Sequence, residues 1–176
     1  MKKDFVMPIL VLALICLVIS GALALTNNVT EPIIADAAAG REDAARYEII
    51  PQADSFDEIV GTDGLAAPVR QVYEATKNGE RVGYIFMVTE SGYGGDVKII
   101  CGINNEGRLI RSKVLEHSET KGLGSKIEED WFTLQFDGTD SSFRDIDAIS
   151  GATKSTNAYV NAIRHAFDAY EVINNR

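Results

Sequence analysis

Residues 147–156 read DAISGATKST, and their types suit the holding of a charged ligand. Ser150, Gly151 and Ala152 carry little side-chain bulk, so a ligand can approach the backbone closely. The run leads into a helical pattern. Free N–H groups and the positive dipole end at a helix start favour a phosphate. Thr153, Ser155 and Thr156 add hydroxyls, Asp147 adds an acid, and Lys154 adds a cation. An ordinary helix cap, with Ser or Thr accepting from helix-start N–H groups, explains the same residues without a ligand. A second run, residues 117–124 (HSETKGLG), is a polar turn rich in glycine in its plainest reading. Its His117 fits a proton relay or a structural role.

Both runs need a scaffold. Residues 69–75 alternate roughly in polarity, Asn78-Gly79 marks a hairpin, and residues 82–89, 97–103 and 109–115 read as further strands. Residues 91–95 (SGYGG) are a glycine-rich connection and residues 104–107 a turn. An antiparallel meander is the simplest arrangement. Residues 53–68, with Gly61, Gly64 and Pro68, read as loop. Residues 126–136 read as a short helix. From about residue 155 to 173, Tyr159, Ile163, Ala166, Phe167, Tyr170 and Ile173 recur at helical spacing and define one buried face. The fold class is therefore α+β: an antiparallel sheet with packed helices, preceded by one N-terminal transmembrane helix.

That helix is read from residues 5–25, an uncharged apolar run about 31 Å long as a helix, near the roughly 30 Å hydrocarbon thickness. Pro8 falls in its first turns, where a missing N–H costs least. Lys2 and Lys3 precede the run and few cations follow before Arg41, which places the N-terminus in the cytoplasm. A cleaved leader is the rival, but the run exceeds the 7–15 apolar residues typical of one. The expected organisation is a cytoplasmic N-terminus and anchor over 1–30, a juxtamembrane stalk or helix over 31–52, and an extracytoplasmic domain over 53–176. Ala-rich residues 35–47 suit the stalk, with Pro51 ending it.

The chain has 176 residues and a formal net charge of −9. Lys2 and Lys3 offset Asp4 and Glu31 within the first 34 residues, so the whole excess lies after them. Such acidity argues against nucleic-acid partners. Two cysteines and two histidines give no four-cysteine or His-rich metal site. Cys16 in the anchor and Cys101 in a strand read as small hydrophobes.

Asp147, Ser150, Gly151, Ala152, Thr153 and Ser155 resemble the flavinylation motif of the FMN-binding domain family. HSETKGLG resembles the H-x-E-T-P-G-L-G segment shared by the G flavoprotein of Rnf complexes and the C flavoprotein of the sodium-pumping quinone reductase. Lys121 stands where that segment has Pro. The shorter chain favours the Rnf flavoprotein. By this resemblance the cofactor is FMN, attached covalently through its phosphate to Thr153 by a dedicated flavin transferase. Asp147, Ser150, Gly151, Ala152 and Ser155 belong to its binding motif, and Glu119, Thr120, Gly122, Leu123 and Gly124 line the flavin. Tyr93, Trp131 and Tyr159 are candidates to stack on the ring, though packing accounts for such aromatics equally.

The implied function is electron transfer within a membrane Rnf-type complex coupling ferredoxin:NAD oxidoreduction to Na+ or H+ translocation. The chain would be one component of that translocase, with no complete catalytic site of its own and no metal. Its partners would be the other membrane subunits, the transferase and membrane lipid. It would lie in the cell (inner or plasma) membrane as a single-pass protein. Alternatives are a stand-alone membrane-tethered flavoprotein, a component of the quinone reductase, and a redox-inert anchored module whose DAISGATKST is only a cap.

Overall fold

The computed structural model describes residues 2–59 and 64–175; Gly61 lies outside them. The chain divides into two compact units, Met1–Arg41 and Glu42–Arg176. Helix α1, Lys2–Ile49, takes in both the apolar run and the Ala-rich segment without interruption. Within the first unit, helix side chains from Val6 onward are mostly exposed, and the helix is long and apolar enough to cross a membrane. Where the apolar run ends, Thr26 Oγ1 donates to the Ala22 carbonyl at 2.9 Å and Thr30 Oγ1 to the Thr26 carbonyl at 3.0 Å. The helix thus absorbs its own hydroxyls. Pro32 sits inside it, where a ring without N–H leaves one helical hydrogen bond unmade.

The second unit is built on a five-stranded antiparallel sheet in the order β1-β2-β3-β4-β5. The strands are β1 Ser55–Glu58, β2 Val69–Lys77, β3 Glu80–Ser91, β4 Asp96–Asn104 and β5 Leu109–Glu116. Lys77 pairs with Glu80 across a two-residue turn, where Asn78 (φ 53°) and Gly79 (φ 81°) take the left-handed conformation that such hairpins require. Strand β1 falls in the segment read as loop. Its polar sequence SFDE gives too little alternation to announce a strand, and pairing with β2, Phe56 opposite Ala75, creates it.

Both faces of the sheet are covered. Tyr84, Phe86 and Val88 of β3 and Val97, Ile99, Cys101 and Ile103 of β4 face helix α3, Thr153–Asn174. Ile85, Met87 and Ile100 point the other way, onto Ala45, Ile49 and Ile50. Two-sided burial explains the unbroken apolar runs of these strands. Gly102 lies under the second layer; a Cβ there would come within 2.5 Å of Ile49 Cγ2. The face predicted for the last helix is buried at Tyr159, Ile163, Ala166, Phe167 and Tyr170, with Ile173 partly so. Residues 126–136 are not one helix but a 3-10 turn Gly124–Glu128, one α turn α2 (Asp130–Thr133) and a second 3-10 turn Leu134–Phe136. Phe132 and Phe136 pin this zigzag edge-on and tilted against Tyr159, at 5.2 and 5.1 Å between ring centres. Packing overrides the helical pattern there.

Candidate functional site

In an antiparallel meander, alternate strands end on the same side. The ends of β3 and β5 and the start of β4 therefore lie together. This brings the glycine connection 92–95 next to the segment 117–124, and the start of α3 closes over both.

Glu119 joins the three pieces. Its Oε1 accepts the backbone N–H groups of Tyr93 (2.7 Å) and Gly94 (3.1 Å), and its Oε2 accepts the Ser155 hydroxyl at 2.5 Å. The carboxylate is buried, 8% exposed, as is Ser155 at 1%. Burial pushes the Glu119 pKa up, but hydrogen bonds from Ser155, Gly94 and Tyr93 outweigh it and hold it below the ordinary value. The surrounding glycines follow from this side chain. A Cβ on Gly92 would collide with Glu119 Oε1, and one on Gly124 would fall 2.6 Å from Oε2 and 2.8 Å from Ser155 Oγ.

His117 supports the same segment. Its Nδ1 accepts the Glu119 N–H at 3.0 Å while Nε2 faces Glu128 Oε2 at 3.3 Å. An accepting Nδ1 leaves the proton on Nε2, on the side that faces Glu128. Thr120 to Leu123 is a tight turn: the Leu123 N–H donates to the Thr120 carbonyl at 3.1 Å, Gly122 has φ 75°, and its N–H donates to Ser125 Oγ at 2.9 Å.

The start of α3 has no side-chain cap at Ala152. Alanine has no oxygen to serve as a cap, and the hydroxyls inside the helix are engaged elsewhere: Ser155 on Glu119, and Thr156 Oγ1 as acceptor of the Ile149 N–H at 3.2 Å. The first-turn N–H groups thus remain available to a ligand, as the plain capping reading would not have them. Gly151 reaches this turn with φ 79°.

These elements enclose a cavity of about 330 Å³ lined by Tyr93, Glu119, Thr120, Leu123, Gly124, Gly151, Ala152, Thr153, Lys154 and Ser155. Both sequence motifs contribute to it. Thr153 is exposed and opens into it. A larger groove of about 490 Å³ along β5, lined by residues such as Glu48, Arg111 and Asp130, holds no residue of either motif. Three of the residues expected to hold the cofactor are not in the wall. Gly122 sits in its turn, Ser150 is exposed, and exposed Asp147 has its backbone clasped by Gln135, whose Oε1 accepts the Asp147 N–H at 2.7 Å. Of the aromatics, Tyr93 lines the cavity and is 75% exposed, free to turn onto a ligand. Tyr159 is in the core with its hydroxyl donating to Ser112 at 2.7 Å, and Trp131 donates to Glu129 at 2.6 Å away from the cavity. Sequence reasoning missed the Glu119–Ser155 hydrogen bond; the signal available was SGYGG, whose glycines let another segment approach the backbone closely.

The residues fit an FMN: uncapped N–H groups, the Thr153 hydroxyl and the Lys154 ammonium at one end suit a phosphate, and Tyr93, Leu123 and Ala152 suit a flat apolar ring. Among the described residues, no cluster of His, Cys, Asp and Glu is arranged to hold a metal ion.

Residues 92–168 match the FMN-binding domain family. Over 191 aligned residues the chain is 35% identical to the G subunit of the ion-translocating oxidoreductase complex of Shewanella piezotolerans, covering 94% of this chain and 89% of the relative. It is 33% identical to the G subunit of the same kind of complex from Methanosarcina acetivorans, over 95% of each chain. It is 30% identical to the G subunit of the Na(+)-translocating ferredoxin:NAD(+) oxidoreductase complex of Acetobacterium woodii, over 92% of this chain and 89% of the relative. The crystal structure of Shewanella oneidensis NqrC superposes with a TM-score of 0.49 at 16% identity, covering 55% of this chain and 54% of NqrC.

Proposed function

The chain belongs to the G-subunit family of ion-translocating oxidoreductase complexes, and on that premise we propose that it is the covalently flavinylated electron carrier of an Rnf-type complex. The complex would couple ferredoxin:NAD oxidoreduction to Na+ or H+ translocation. The observation that carries the covalent reading is Thr153 itself, exposed at an uncapped helix start and opening into the cavity that the HSETKGLG segment lines.

A bound FMN supplies reversible electron transfer. The chain's residues do the rest. Thr153 Oγ1 would form the P–O bond while a phosphoanhydride bond of an activated flavin donor breaks, the donor's other phosphate leaves, and the hydroxyl proton passes to a base. A threonine hydroxyl is a weak nucleophile at neutral pH, so this step belongs to a separate transferase. The first-turn N–H groups of α3 and Lys154 offset the remaining phosphodiester charge. Tyr93 and Leu123 would cover the ring, and Thr120 would hydrogen-bond the ring or the ribityl hydroxyls. Asp147 and Ser150, exposed beside the cavity, present the motif to the transferase.

The apolar part of α1 supports a membrane anchor. Residues 1–30 would hold a cytoplasmic N-terminus and the span, residues 31–52 the stalk, and residues 53–176 the extracytoplasmic domain. A covalent tether suits that side, where a dissociated flavin would be lost.

Denaturing electrophoresis under blue light, with intact mass, tests the reading. Protein made with a competent transferase should fluoresce and gain the mass of FMN less water, and Thr153→Ala should lose both while remaining folded. Fluorescence retained by that variant would sink it. Copurification with the other membrane subunits checks assembly into a complex.

A further inference from the structure

We propose that Glu119 is a positioning residue rather than a flavin ligand: its carboxylate latches the start of α3 to the glycine connection and so sets where Thr153 meets the transferase. This rests on the covalent reading above.

Both carboxylate oxygens are taken by protein donors from two other segments, Tyr93 and Gly94 on one and Ser155 on the other. Ser155 is two residues from Thr153, on the first turn of α3. Fixing its side chain fixes the rotation of that turn about the helix axis, and hence the direction of the Thr153 hydroxyl. Ionised carboxylates accept stronger hydrogen bonds than neutral groups, so this latch is stiff. Gly92 and Gly124 make the room that the carboxylate occupies, since a Cβ on either would collide with it in this position. A flavin group would have to displace one of these donors to reach Glu119.

The latch predicts communication between segments distant in sequence. Ser155→Ala removes only the Oε2 contact, yet it should loosen the carboxylate and with it the 92–95 connection. Glu119→Gln keeps the shape and an acceptor for Tyr93 and Gly94 but removes the charge. Ser155→Ala and Glu119→Gln should each slow flavin attachment at least tenfold in kcat, with the KM for the flavin donor unchanged. The double variant should be no slower than the worse single one, because both cut one connection.

Two measurements on the detergent-solubilised full chain decide it. Hydrogen exchange of the apo chain should show faster exchange at Tyr93 and Gly94 in Ser155→Ala, a readout that needs no flavin. The attachment time course by intact mass should show the kcat loss. Unchanged exchange at 92–95 overturns the latch, as does attachment by both single variants at the wild-type rate. A wild type that gains no flavin mass overturns the covalent reading instead, and the exchange result then decides the latch alone.

Discussion

At the scale of single residues, the glycines around the cavity divide into two kinds. Gly124 is constrained by space: Gly124→Ala would set a Cβ 2.6 Å from Glu119 Oε2, a collision that should cost about 1–3 kcal/mol and disturb flavin loading. Gly122 is constrained by backbone alone, with φ 75° and open space around it, so Gly122→Ala should cost about 1 kcal/mol and leave loading intact. Thermal melts with flavin content by absorbance separate the two. Lys121 occupies the position of this turn before Gly122 where Pro is favoured. Lys121→Pro should therefore raise stability, by about 0.4–1 kcal/mol, by restricting the unfolded chain; a lower melting temperature would refute this. Glu119 also sets a pH response. Its folded pKa is lowered, so its contribution to stability is complete above the ordinary carboxylate range and is lost as pH falls through the acid range below it. Asp137 acts oppositely, because burial raises its pKa more than Arg111 lowers it. The difference between wild type and Glu119→Gln in acid unfolding isolates the Glu119 part, and it should shrink toward low pH.

At the scale of elements, β2 to β5 and α3 were legible because each has a clear period or a two-sided apolar run. The hairpin turn was legible from Asn78-Gly79. Strand β1 was not, since its four residues gain strand geometry only from a neighbour. The zigzag over residues 124–136 was not, since Phe132 and Phe136 take their places from Tyr159 on a distant helix. The site divides the same way. Its two motifs announce themselves as strings, but that they share one cavity follows from the meander, and the Glu119–Ser155 contact spans 36 residues that no local pattern links. Tyr159 tests the packing of α3 on β5. Tyr159→Phe leaves the buried Ser112 hydroxyl without its partner and should cost about 1–2 kcal/mol, read as a lower denaturant midpoint with an unchanged slope.

At the scale of the whole chain, composition alone hid a division. The averaged charge of −9 belongs to residues 35–176, and the apolar run belongs to the part of α1 whose described side chains are exposed. The protein should therefore sediment with membranes, resist extraction by high salt, and dissolve in mild detergent. Release by salt alone would contradict an integral anchor.

The meander has a practical corollary. The turn at Asn78-Gly79 lies at the opposite end of the sheet from the cavity, because it joins the start of β3 rather than its end. A short epitope or a fluorophore spliced between those two residues would give antibody access or a distance ruler for the domain, with the chemistry left untouched at the other end.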